Sequence, residues 1–236
     1  MESKINVLSA ETVFQKHKEE KNYQGFYQNV IKRGFDIVIG IALTPFVFLL
    51  LFPIAIAVKV EDGGPIFYRS MRLGKGFKEF GMLKVRSMKV NSPDIRNVDG
   101  STFNSSDDPR VTKVGRFLRE KSLDEIPQVF NIIVGDMSIV GPRPGDVESK
   151  DTYEEDEKDK MLVRPGITGY CQAYFRNAAS VREKRLYDAA YAHALSFELD
   201  MRIIFKTIRT VLKQENIYTN TPNKNTGMPR RDKVGK

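Results

Sequence analysis

Asp124 and Glu125 are adjacent carboxylates, and arginines bracket them: Arg119 five residues before Asp124, and Arg143 between Pro142 and Pro144. Paired carboxylates beside arginines read as phosphate chemistry, because a guanidinium holds two oxygens at once. Placed at the start of a helix, an anionic group is stabilised by the dipole and the free N–H groups there. That setting suits either a carboxylate nucleophile or a bound phosphate.

The local sequence supplies such a helix. Ile126, Val129, Phe130 and Ile133 keep the i, i+3, i+4, i+7 spacing of one buried face, and Gly135 follows as a C-cap. Pro127 is tolerated only in a helix's first turn, which puts Asp124 and Glu125 at or before its start. Pro142 and Pro144 fix their own φ and bias the residues ahead of them to extended geometry, so Arg143 is presented from a stiff backbone. The competing reading makes Ser122 and Glu125 a capping box. A helix capped by Ser122 would carry Pro127 one step past the tolerated turn, which weakens that reading.

The 236 residues have room for one domain of about 150 residues plus appendages. A formal charge of +8 favours anionic partners. Nucleic acid is the weaker choice, since there is neither zinc-finger spacing nor an RNA-binding aromatic signature. Cys171 is the single cysteine and His17 and His193 lie far apart, so neither a disulfide framework nor a zinc site is expected. Any metal should be an oxygen-ligated ion of the Mg²⁺ kind.

Residues 1–35 form an N-terminal segment in which Tyr23, Phe26, Tyr27, Val30 and Ile31 keep helical spacing ahead of Lys32 and Arg33. Such a helix either lies at a membrane surface with its cations at the headgroups or packs on the soluble domain. Residues 36–62 hold an uncharged run from Ile37 to Val58, about 33 Å long as helix and enough to cross the hydrocarbon core. It is too long, and too far from the chain start, for a cleavable signal. Pro45 should kink this helix, and Thr44 can bond back to the turn before. Basic residues flank both ends, so both flanks qualify as cytoplasmic. A hairpin that enters and leaves one face satisfies both; an ordinary kinked span is the rival.

Residues 63–213 are expected to form the soluble domain, α+β and mostly α, opening at Gly63-Gly64-Pro65. Short strands are expected at Ile66–Arg69, Phe77–Phe80 and Met82–Val85. Gly74-Lys75-Gly76 lacks the phosphate-loop pattern and reads as a basic turn. Asn91 to Pro109 reads as a surface loop, and the acidic stretch 146–160 as a solvated helix or loop. Two helices are expected between Val181 and Lys213; the second carries Ile204, Phe205, Ile208, Val211 and Leu212 on one face, for core packing or for membrane. Residues 214–236 are polar and read as a disordered tail.

The strings SLDEIPQ, NIIVGDMSIVGPRP and RPGITG, in this order and spacing, resemble the signature of the bacterial sugar transferase family, the small monotopic phosphoglycosyl transferases. The resemblance runs from about Lys32 to Leu212. It implies a re-entrant membrane helix, broken in the family at Ser-Pro where this chain has Thr44-Pro45, with a small domain and both termini on the cytoplasmic face of the bacterial inner membrane. It implies transfer of a sugar phosphate from a UDP-sugar to polyprenyl phosphate, releasing UMP, with Mg²⁺ as cofactor. Asp124 would be the nucleophile and a metal ligand, and Glu125 would assist with proton or metal. Lys84 of Lys84-Val85-Arg86-Ser87-Met88 would lie in the active site; on spacing alone it is a solvated strand residue. Arg119, Arg143 and Arg176 would hold phosphates, while Asp188 and Asp200 match supporting family positions. Tyr170-Cys171 departs from the family's usual residues before Gln172, a variation that touches substrate choice. Two rivals of other classes are a non-enzymatic adaptor for anionic lipid and an aspartate phosphatase, whose Asp-x-Asp pattern is absent at Asp124. Which sugar is used stays open, as does the oligomeric state, a homodimer among the options.

Overall fold

The computed structural model describes residues 25–95, 103, 105, 107–175 and 179–212. A π-helical turn, Tyr27–Ile31, runs straight into helix α1, Lys32–Asp62, so that Tyr27–Asp62 is one helix of 36 residues. It is long and apolar enough, by length and composition, to cross a membrane. Pro45 and a second proline, Pro53, both lie inside it. Thr44 Oγ1 donates to the Gly40 carbonyl at 2.8 Å, the back-bond expected beside the proline.

Helix α1 is not a free-standing stalk. Its buried positions Asp36, Gly40, Val47, Leu51 and Val58 recur at spacings of four and seven residues, one narrow stripe down the helix. Val47, Leu51 and Val58 pack with Val85, Leu118 and Val129 of the domain. A Cβ on Gly40 would meet the Ile133 side chain at 2.9 Å, so glycine lets the two helices close. The remaining surface of α1 stays apolar and exposed, with Val38, Phe46, Leu49, Phe52 and Val60 each more than half accessible. A contiguous apolar surface of this size marks contact with lipid or a partner.

Both ends of the helix are tied to the same domain. At one end Tyr27 Oη and Lys32 Nζ donate to Asp200 Oδ2 at 2.8 and 2.6 Å, and Asp36 Oδ1 accepts the Ile139 N–H at 2.9 Å. At the other, Glu61 accepts the N–H groups of Lys113 and Val114 at 2.6 and 3.0 Å, and Asp62 pairs with Arg86. Lys32 and Arg33 are therefore engaged within the protein: Arg33 donates to the Ile132 and Ile133 carbonyls. The packed-on-domain reading holds for Tyr27, which is buried, while Phe26 and Val30 remain exposed. Tyr23 lies outside the described residues.

Among the described residues the domain holds two small sheets. Strands β1 (Phe67–Leu73) and β2 (Glu79–Val85) form an antiparallel hairpin, Arg69 opposite Leu83, and a two-residue strand β4 (Gly145–Asp146) pairs with the other edge of β1. Of the three short strands expected here, the second and third are one. Strands β3 (Ser138–Val140) and β5 (Gly166–Thr168) pair in parallel, uniting two of the signature strings. A Cβ on Gly166 would stand 2.1 Å from the Gly141 backbone nitrogen, which explains glycine in both strings.

Helices α2 (Lys113–Glu120) and α3 (Gln128–Val134) follow the hairpin, and α4 (Tyr170–Tyr174), α5 (Val181–His193) and α6 (Phe197–Leu212) close the fold. The two expected C-terminal helices are α5 and α6. Ile203 of α6 is fully buried beside Leu195 and Tyr191, whereas Phe205 and Ile208 are exposed, so the apolar stripe is only partly a core face. The acidic stretch departs from expectation. Glu157 is 2% exposed and pairs with Arg185 at 3.0 Å, and Lys160 pairs with Asp188 at 3.1 Å. These pairings seat 158–162 against α5 instead of leaving the whole stretch in solvent. Residues 213–236, including the expected tail, lie outside the described residues.

Candidate active site

The carboxylates sit where Pro127 requires. Leu123–Glu125 is a turn of 3-10 helix, Pro127 is the N-cap of α3, and Gly135 closes α3 with φ 99°. Ser122 makes no capping bond and adopts φ 56°, so the capping box does not form.

A buried asparagine fixes α3 against the hairpin. Asn131 Oδ1 accepts the Leu83 N–H at 2.9 Å and its Nδ2 donates to the Gly81 carbonyl at 2.9 Å. Strand β2 is an edge of its sheet, and the Asn131 amide satisfies backbone groups that a further strand would otherwise take. With β2 held in this register, Lys84 Nζ reaches Glu125 Oε1 at 2.9 Å.

Arg119 comes from α2, whose first turn approaches Ser87 so closely that a Cβ on Gly115 would lie 2.0 Å from the Ser87 carbonyl oxygen. One turn further along, Arg119 Nε donates to Ser87 Oγ at 2.8 Å. Its charge reaches Asp124 without a hydrogen bond to it. Arg143 projects to solvent from Pro142, which is buried, and Pro144, which is half-buried. The Arg143 N–H is taken by Asp188 Oδ2 at 3.1 Å.

Lys84, Glu125 and Arg143 line one open pocket with Arg72, Gln128 and Gln172. The last three were not singled out as site residues by sequence. Gln128 closes the SLDEIPQ string and Gln172 follows Tyr170-Cys171, but neither spacing nor residue type marks Arg72 or either glutamine as a site residue. Asp124, next to Glu125 in the chain, is not among the lining residues and is 7% exposed. No described side chain donates a hydrogen bond to its carboxylate, in contrast to Glu125.

The two acids are held at opposite poles. Burial pushes the Asp124 carboxyl above the usual carboxylate range, as does the adjacent Glu125 charge, while Lys84 and Arg119 pull it down. Glu125 is itself penalised by burial, yet Lys84 and Arg143 carry its carboxyl below the usual range. Among the described residues no group of three or more His, Cys, Asp or Glu forms a metal cage. A Mg²⁺ ion does not need one, since it takes one or two carboxylates and completes its shell with water and substrate phosphates. Asp124, unclaimed by any side-chain donor, fits that single-carboxylate arrangement.

The other expected residues divide. Asp188 stands beneath Arg143, but Asp200 is away from the pocket, accepting from Tyr27, Lys32 and Tyr191 in a buried cluster that joins α1, α5 and α6. Thr44 and Pro45 are in α1. Arg176 lies outside the described residues.

An α+β domain is packed along one long apolar helix and carries a carboxylate pair, one member of which lines a cationic pocket. The chain belongs to the bacterial sugar transferase family, whose model matches residues 27–214. It is 38% identical over 188 residues to the UDP-N-acetylgalactosamine-undecaprenyl-phosphate N-acetylgalactosaminephosphotransferase of Aeromonas hydrophila, covering 77% of this chain and 44% of that protein. It is 38% identical over 200 residues to the UDP-glucose:undecaprenyl-phosphate glucose-1-phosphate transferase of Xanthomonas campestris pv. campestris, covering 81% and 41%. The exopolysaccharide production protein ExoY of Sinorhizobium fredii is 39% identical over 204 residues, covering 80% and 88%. The chain thus spans less than half the length of the first two and most of the third.

Proposed function

We propose that this chain transfers a sugar-1-phosphate from a UDP-sugar to undecaprenyl phosphate, giving undecaprenyl diphosphate sugar and UMP, at the start of surface glycan assembly. The names of its relatives supply the substrate classes. The observation that carries the reading is the Asp124 carboxylate, buried and without a side-chain donor among the described residues, beside a pocket lined by Arg72, Lys84 and Arg143. An adaptor for anionic lipid gives no reason for such a carboxylate.

In this reading Asp124 attacks the sugar-proximal phosphorus. An acyl phosphate forms as the bond from that phosphorus to the bridging oxygen breaks, and UMP leaves with the electron pair. A phosphate oxygen of undecaprenyl phosphate then attacks the same phosphorus and returns the carboxylate. A carboxylate is a weak nucleophile toward an anionic diphosphate, so the electrophile must be neutralised. Arg143 and Lys84 do so from the pocket wall, and the Arg119 and Lys84 charges oppose the rise that burial imposes on the Asp124 carboxyl. Mg²⁺, when bound, would neutralise phosphate oxygens, with Asp124 the residue to hold it. Glu125, kept anionic by Lys84, assists with proton or metal.

The reading extends to the membrane. Both ends of α1 are fastened to one domain, through Asp200 at one end and Arg86 at the other. A helix gripped in that way enters and leaves one face more readily than it crosses, which supports the reading that the domain and both termini lie on the cytoplasmic side of the inner membrane. In this reading Thr44-Pro45 would be the site of the bend, within a helix that is continuous from Tyr27 to Asp62 in the structure.

The test is UMP release from a panel of UDP-sugars. One sugar should give UMP stoichiometric with enzyme when acceptor is withheld, and multiple turnovers when undecaprenyl phosphate is added. Absence of UMP release from every UDP-sugar, with acceptor present, overturns the reading.

A further inference from the structure

Lys160 is the least expected buried charge in the domain. It belongs to the stretch that composition marks as solvated, yet it is 5% exposed. Its ammonium lies 3.1 Å from Asp188 Oδ2, the same oxygen that accepts the Arg143 N–H at 3.1 Å. Asp188 Oδ1 has no partner. Among the described residues the carboxylate is thus held by two hydrogen-bond donors, and one of them is the peptide group it positions.

The chemistry of the Pro142-Arg143-Pro144 segment makes that single bond count. Neither proline has an N–H, so Arg143 supplies the only backbone donor in the three residues. Asp188 is fully enclosed, and an enclosed carboxylate without a counter-charge is expelled or neutralised. Burial already pushes its carboxyl up, and Lys160 is the first charge opposing this.

We infer that Lys160 is a positioning residue for substrate: it fixes the Asp188 carboxylate, which fixes the Arg143 backbone, so that the guanidinium is presented to the diphosphate of the nucleotide sugar. The inference rests on the reading that Arg143 binds that diphosphate. Lys160 touches no substrate; its influence passes through one carboxylate to one backbone N–H. Arg143 side-chain rotamers are then selected from a fixed base, which is what a bidentate grip on phosphate needs.

The experiment is UMP release by the full membrane-embedded chain with the UDP-sugar varied, in wild type, Arg143→Ala, Lys160→Met and the double variant. Arg143→Ala should raise KM by about tenfold or more. Lys160→Met should raise KM by about fivefold with a smaller change in kcat, and should add nothing in the Arg143→Ala background. A wild-type KM in Lys160→Met, or effects that multiply in the double variant, overturns the inference and leaves the role of Arg143 intact. A wild-type KM in Arg143→Ala removes the underlying reading, and the inference with it. If Lys160→Met does not fold, Lys160→Gln keeps the site polar but is neutral and one bond shorter, so it cannot hold Asp188 as the ammonium does. It should raise KM in the same direction, and an unchanged KM there overturns the inference equally.

Discussion

Lys84 Nζ lies 2.9 Å from Glu125 Oε1 and makes no hydrogen bond to Asp124, one residue away. The lysine therefore divides two chemically similar acids into a paired one and an unpaired one, and the unpaired one is the more deeply buried. Asp124→Asn is nearly isosteric and disturbs no ion pair, so folding and membrane binding should be kept. UMP release should fall by about three orders of magnitude or more, as when a covalent route is deleted. Near-normal release by folded Asp124→Asn enzyme would rule out the covalent mechanism.

Glu125→Gln separates the two acids further. If Glu125 serves the second half-reaction, the variant should accumulate a phosphosugar on Asp124, visible as added mass on the intact protein. A variant that is slow in acceptor turnover yet shows no such adduct would place Glu125 in the first half-reaction instead.

The opposed shifts of the pair predict the pH profile. Asp124 must be ionised to attack, and its carboxyl is raised by burial and by Glu125 but lowered by Lys84 and Arg119. The acid limb of UMP release should therefore stand above the ordinary carboxylate range. Lys84→Met removes a lowering charge, so the limb moves to higher pH; Glu125→Gln removes a raising one, so it moves to lower pH. Profiles measured on the acceptor-free half-reaction check both signs, and limbs that coincide with wild type would detach the profile from Asp124.

Asn131 offers a stability test independent of catalysis. Asn131→Ala strands the Leu83 N–H and the Gly81 carbonyl, each costing about 1–3 kcal/mol if left unsatisfied. The variant should melt earlier, exchange the Leu83 amide faster, and lose activity through the displaced Lys84. Asn131→Ala with a wild-type Leu83 exchange rate would mean that the edge of β2 is secured by something else.

What could be read from sequence follows the range of the interactions involved. Pro127 and Gly135 act on their own backbone, so the placement of Asp124 and Glu125 ahead of α3 was legible, as were α5, α6 and the apolar run. The role of Asn131 was not, because an asparagine in an apolar helix resembles a solvent-facing residue until the edge of β2 is beside it. Lys32 and Arg33 looked like headgroup anchors because their actual partners, Asp200 and the carbonyls ending α3, lie 168 and about 100 residues away. The acidic stretch looked solvated for the same reason: Glu157 meets Arg185 only once α5 folds over it. Composition reports charge but not pairing.

The fastening of α1 at both ends leads to the topological test. Tyr27 and Lys32 meet Asp200, and Asp62 meets Arg86, so a crossing helix would have to release one of these buried or half-buried polar clusters. For the buried Lys32–Asp200 pair, loss of one partner costs about 3–5 kcal/mol. Cysteines introduced singly as Ala10→Cys and Asn225→Cys, each with Cys171→Ser, should both resist an impermeant thiol reagent in intact cells and both react after lysis. Pro45→Ala restores the N–H that proline removes from the helix interior, worth about 3 kcal/mol in helix propensity. It should straighten α1 and oppose the bend, exposing one of the two cysteines to reagent or reducing UMP release. Labelling of one terminus in the parent protein would establish a membrane span and refute the re-entrant reading. Protection of both termini together with a fully active, unaltered Pro45→Ala enzyme would keep the topology and assign it to the polar fastenings of α1, not to the proline.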